Sequence, residues 1–225
     1  MRSSPGNRAG LWAVFAAFAL STAVARATVV VPQDVPTMAR KADWIVRGTV
    51  RNQYADWDRE HRRIYTFTEI EVLETLHRRA AVRQRDALVV RTLGGEVGEI
   101  GMRVSGTARF APGEEVMLFV RASERMQGTF HVVGMSQGKF TVDRSDGPAP
   151  QVVPGASGLA YARRKPAQGT ALDHHSPLQR MSLEAFRRQV QAALSVDQGR
   201  PTSPSRPDFR DADPTTAPNR TSDGP

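Results

Sequence analysis

Trp44 to Tyr54 reads WIVRGTVRNQY, and Ile64 to Leu76 reads IYTFTEIEVLETL. In the first, Trp44, Val46, Gly48 and Val50 share one face of an extended chain, and Arg47 and Arg51 share the other. In the second, Ile64, Thr66, Thr68, Ile70 and Val72 alternate with Tyr65, Phe67, Glu69, Glu71 and Leu73. A period of two held this long predicts two strands, joined by the charged loop 56–63 into a long hairpin. Gly48, in mid-strand, marks a bulge or a barrel bend.

The same pattern continues to Asp143. Ala87–Leu93 is a third strand, rich in valine, and it is followed by TLGGEVGEIGMRVSG. The glycines there lack the Gly-Lys-Ser/Thr ending and the following helix of a phosphate loop. They predict instead a tight turn at Gly94-Gly95 and a strongly bent strand over 97–104. Pro112-Gly113 predicts a turn before a strand at 115–121, whose faces (Val116, Leu118, Val120 against Met117, Phe119) are both apolar, as in a central strand. Further strands are expected at 129–135 and around Phe140 and Val142. The sum is a mainly β domain over 28–143. It is expected to be a small closed or partly open, OB-like barrel of about six strands with glycine-marked corners, a sandwich being the alternative. A short helix over 36–42 is expected to cap an open end of it.

The flanks differ in character. Arg2 and Arg8 precede the apolar run LWAVFAAFALSTAVA, and Ala23-Val24-Ala25 or Ala25-Arg26-Ala27 offers a cleavage site. Residues 1–27 therefore read as a signal peptide, because a run this short falls below the ~20 residues of a membrane span. No span remains after cleavage, and the expected location is periplasmic or extracellular. Residues 144–180, rich in Gly, Pro and Ala, read as linker. Residues 181–195 read as a helix capped by Ser182, with Leu183, Phe186, Val190 and Leu194 on one stripe. The tail 196–225 has almost nothing to bury and reads as disordered.

The formal charge of +8 invites nucleic acid as a partner. Yet residues 43–143 hold 15 basic and 14 acidic side chains, so the excess lies outside the β domain and nucleic acid is unlikely. The absence of cysteine removes disulfides, thiolate ligands and cysteine nucleophiles. His174-His175 beside Asp173 is the one adjacent histidine pair, and two such residues do not complete a tetrahedral site, so no metal and no cofactor is assigned. No GxSxG elbow is present, and no catalytic residue is assigned. Glu69 and Glu71 read as a solvated strand face answered by Arg47 or Arg51. Trp57, inside Asp-Trp-Asp-Arg-Glu-His, is either an exposed anchor for a partner or folds over the hairpin with Tyr54 and Tyr65. Trp57, Tyr54, Tyr65, Gly94, Gly95 and Gly98 are the candidate binding residues.

The runs ADWIVRGTV, RRIYTFTEIEVLETL, VVRTLGGEVGEIGMRVSGTARFAPGEEVMLFV and FHVVGMSQGKFTV resemble an uncharacterised family of exported proteins. That family belongs to Gram-negative bacteria of high genomic G+C, myxobacteria among them. The likeness covers about Asp34 to Val142. It implies a small β domain of the OB-like or inhibitor-like type and carries no activity onto these residues. Inhibitor domains of this type rely on cysteines that this chain lacks. The expected function is a non-enzymatic, exported binding or structural module of the cell envelope, with a protein or polysaccharide as partner. The alternative is a secreted hydrolase or processing factor with a site built from loops 56–63 and 94–113.

Overall fold

The computed structural model describes residues 28–145, 147–155, 159–165, 169–173 and 178–198. The expected signal peptide, the His174-His175 pair and residues 199–225 lie outside them. The chain is mainly β, with two helices among the described residues.

The hairpin is the longest feature. β2 (Trp44–Trp57) and β3 (Ile64–Arg78) pair antiparallel over their whole length, after the short β1 (Thr28–Val30). The connecting loop is shorter than the charge pattern suggested, because Asp56 and Trp57 are still paired, with Tyr65 and Ile64. The register shifts between Arg47 and Gly48, and again between Val50 and Asn52, so the expected mid-strand irregularity is present. β4 (Ala87–Leu93) pairs with β3, and β7 (Glu115–Ala122) pairs with β2. β8 (Thr129–Val132) lies parallel to β4 and antiparallel to β7. Five strands therefore pair in a ring: β2, β3, β4, β8, β7 and back to β2.

The ring is not the whole sheet. The first half of β7 pairs with β9 (Lys139–Asp143), which leads on to β10 (Gln151–Pro154) and β13 (Met181–Ser182). The sheet has eight strands, of which five close on themselves, in place of the simple six-strand barrel expected. Two further expectations are corrected. The bent strand expected over 97–104 is a small hairpin, β5 (Gly95–Val97) and β6 (Ile100–Met102), whose turn lies at Gly98 and not at Gly94-Gly95. The stretch 144–180 carries β10, β11 (Leu159–Lys165) and β12 (Gly169–Asp173), the last two forming a separate sheet with β1. Runs this short among glycines and prolines carry too few alternating positions to stand out from linker.

Two cores follow from the alternation. Inside the ring lie Trp44, Val46, Val50, Ile70, Leu88, Val90, Val116, Leu118, Val120, Phe130 and Val132. On the outer side, Ile45, Met117, Phe119, Phe140 and Val142 meet the helices α1 (Val35–Lys41) and α2 (Leu183–Gln198). Both faces of β7 are buried, as its doubly apolar sequence requires. Asp34 caps α1 by accepting from the Thr37 amide at 2.8 Å. Ser182 accepts from the Ala185 amide at 3.2 Å and starts α2. Val35, Met38, Ala39 and Ala42 share one cluster with Leu183, Phe186 and Val190. Hence α1 covers the outer face of the sheet beside α2 and does not cap an end of the ring.

Candidate binding pocket at one end of the ring

The inner face of the ring changes character along its length. Toward Ile70 and Leu88 it is apolar, and toward the tip of the long hairpin it turns polar. Gln53 lies opposite Thr68, and Thr66 lies opposite both Ala55 and Thr92. Thr68 is wholly buried and accepts a hydrogen bond from Gln53 Nε2 at 2.9 Å. Side chains that only filled a barrel would be apolar here, because each buried hydroxyl or amide needs a partner to offset its desolvation.

The β5–β6 hairpin and the segment 103–110 fold across this end. They enclose a pocket of about 480 Å3 lined by Gln53, Thr66, Thr92, Thr107 and Phe110, with Glu96, Arg103 and Arg109 also bordering it. Three local features hold that wall. The Gly94 amide donates to the Ile64 carbonyl at 2.8 Å, and the Thr66 hydroxyl donates to the Gly94 carbonyl at 2.7 Å. Gly95 sits so close to the inner face that a Cβ would come within 2.6 Å of Thr66 Oγ1 and 2.9 Å of the Ala55 methyl. A side chain at 95 would displace the floor of the pocket. Below it, the Lys139 ammonium lies 5.2 Å from the centre of the Phe110 ring and fixes that ring at the pocket's edge.

The candidate binding residues separate. Gly94 and Gly95 line the pocket. Gly98 is the exposed turn of the small hairpin, with φ 60°, and nothing stands within 4 Å of where its Cβ would be. The three aromatic residues do not form one cluster. Trp57 stacks on His61, ring centres 6.2 Å apart. Tyr54, 56% exposed, lies flat on Phe67 at 5.1 Å. Tyr65 carries the Arg91 guanidinium at 4.6 Å. Trp57 is separated from the other two because it points to the opposite face of β2 from Tyr54, while Tyr54 and Tyr65 share the outer face at different registers, beside Phe67 and Arg91 respectively.

Sequence reasoning missed Gln53, Thr66, Thr92, Thr107, Arg103 and Arg109. One signal was available: threonines at 66, 68 and 92 on strand faces whose other members are Ile, Val and Leu. The other charged cluster is on the outer face and holds elements together. Arg47 Nε meets Glu74 at 2.9 Å and its Nη1 meets Glu115 at 2.7 Å, while Arg144 and Arg187 add to Glu115 and Glu74 respectively. Hydrogen bonds from Arg144, then from Arg47, hold the Glu115 carboxyl below its ordinary value against burial. At Glu74 burial pushes upward, and the bonds from Arg47 and Arg187 outweigh it. No helix among the described residues is long and apolar enough to cross a membrane. Set against models of known protein families and against curated proteins, the chain matches none.

Proposed function

We propose that this chain is a non-enzymatic, exported module of the cell envelope that binds a hydroxyl-rich ligand, a segment of polysaccharide, at the end of its ring. One observation carries the reading: the ring interior, apolar elsewhere, becomes threonine- and glutamine-lined where the pocket lies. With their protons given to backbone carbonyls, the threonine oxygens are held as acceptors, and Gln53 keeps an N–H and an amide oxygen, which suits the hydroxyls of a sugar. The OB-type assignment belongs to the same reading. Counted from β2, the paired ring runs first, second, third, fifth, fourth and back to first, with the third and fifth strands parallel. That order supports an OB-type barrel, on which β5–β6 is an insertion between the third and fourth strands. Export rests on the leader sequence, and kinship with the exported Gram-negative family rests on the four quoted runs.

The hydrolase alternative calls for a pair of carboxylates flanking the scissile bond. Glu96 is the one carboxylate among the residues lining the pocket, which favours binding over acid–base chemistry. The test is titration of the isotope-labelled mature protein with fragments of envelope polysaccharide, followed by NMR. Amide shifts confined to 53, 66, 92–96 and 101–110, and weakened in Thr92→Val, are the expected result. Shifts confined instead to Tyr54, Phe67 and Tyr65 would move the site to the outer aromatic face, and release of a shortened sugar would establish the hydrolase.

A further inference from the structure

We infer that the ligand of this pocket is an anionic sugar, a hydroxylated ring bearing a carboxylate or a phosphate, with Arg103 and Arg109 as its charge-reading groups; this rests on the binding reading above. Both arginines border the pocket and both are exposed. Neither has an ion pair or a hydrogen bond to another described residue. On the sheet the pattern is different. Arg47 is shared between Glu74 and Glu115, Arg51 meets Glu71, and Arg144 meets Glu115. Arg47, Arg51 and Arg144 are thus neutralised by the protein itself, while the two at the pocket have no such partner among the described residues.

The local charge has the same sign. Two guanidiniums against the single Glu96 leave the pocket net positive. A concave wall of low dielectric concentrates that potential at its centre. A guanidinium offers two parallel N–H donors to a carboxylate or a phosphate, which is a stronger bond than a neutral one. The rest of the lining limits what carries the charge. The Thr66, Thr92 and Thr107 hydroxyls each donate to a backbone carbonyl and so present their oxygens as acceptors, Gln53 keeps a second N–H and its amide oxygen, and the Phe110 ring supplies one apolar wall for the C–H face of a sugar. At about 480 Å3 the pocket falls within the range of roughly 300–1,000 Å3 typical of small-ligand sites, so it suits one or two sugar units of such a segment.

The experiment is a titration of the mature protein with glucuronic acid, glucose 6-phosphate, glucose and inorganic phosphate, read by amide shifts of the pocket residues. Arg103→Gln/Arg109→Gln is run beside it, its fold checked by thermal unfolding. Charged sugars should bind about tenfold more tightly than glucose, the difference made by one charge-assisted hydrogen bond. That advantage should vanish in the double variant and shrink with added salt. The two charged sugars separate a carboxylate from a phosphate source. Equal binding of glucose and the charged sugars would overturn the inference and leave the binding pocket standing. Inorganic phosphate binding as tightly as glucose 6-phosphate would reduce the site to an anion site and overturn the sugar. No pocket shift with any sugar would overturn both readings.

Discussion

Lys139 shows how one residue joins two distant pieces of sequence. It is 5% exposed, and its ammonium meets Glu114 Oε1 at 2.6 Å. The Thr141 hydroxyl donates to the same oxygen, and Glu114 Oε2 accepts from the Ala111 amide at 3.0 Å. The Gly-Glu-Glu and Gly-Lys-Phe runs are therefore the two halves of one buried ion pair. Gly138 is required beside it, since a Cβ there would come within 2.7 Å of the Val133 carbonyl. Breaking such a pair strands a charge in a dry site. Lys139→Met is expected to lose about 3–5 kcal/mol, and Glu114→Gln added to it should lose much less than the sum of the two single changes. Urea unfolding of the three variants measures this. Additive losses would show that the pair contributes no coupling, and that the two runs are kept close for another reason.

At the scale of elements, the two helices are stable only where they dock. α2 spans 16 residues, a length at which an isolated helix is marginal in water. Its Phe186 is wholly buried and meets Phe119 at 5.9 Å and Phe140 at 4.8 Å, edge to face. Removing that ring leaves a cavity between sheet and helix, so Phe186→Ala should lose about 3–5 kcal/mol in urea unfolding and reduce helical circular dichroism at temperatures where the β signal persists. An unchanged midpoint would mean that the outer core adds little. The stripe Leu183, Phe186, Val190 was legible in the sequence because its period of 3.6 is distinct. The strand faces of β2, β3 and β7 were legible for the same reason, with a period of two. Pairing was not. Alternation says which side of a strand is buried and nothing about its neighbour, so the parallel pairing of β4 with β8 that closes the ring left no local mark. The pocket was half legible: Gly94 and Gly95 drew notice as glycines, while the threonines behind them looked like ordinary strand residues. Gly98 drew notice as a glycine too, and Trp57 as a large ring among charges, yet neither is among the residues that line the pocket.

At the scale of the whole molecule, one charge network ties the parts together. Arg47 on β2 reaches Glu74 on β3 and Glu115 on β7, Arg144 follows β9, and Arg187 brings in α2. Its carboxyls are about a sixth to a third exposed, so solvent screens each contact and no single one dominates. Their shared behaviour is in the pH dependence. Glu74 and Glu115 both have lowered pKa values in the folded state. A group lowered on folding contributes fully above its unfolded pKa, about 4.3 for glutamate, and loses that contribution as pH falls through the folded value. Stability should therefore hold from neutral pH down to about 5 and fall steadily below about 4.3. Arg47→Met removes the cation that both carboxyls share. It should lower the urea midpoint at pH 7 and flatten the decline below about 4.3, because the lost contribution is no longer there to titrate. Urea midpoints of the wild type and this variant, taken from pH 7 to about 3, separate the network from the general effect of protonating surface acids. Parallel curves would assign the acid sensitivity to carboxylates elsewhere, such as Asp34 and Asp143, whose values are also lowered but which make no contact with Arg47.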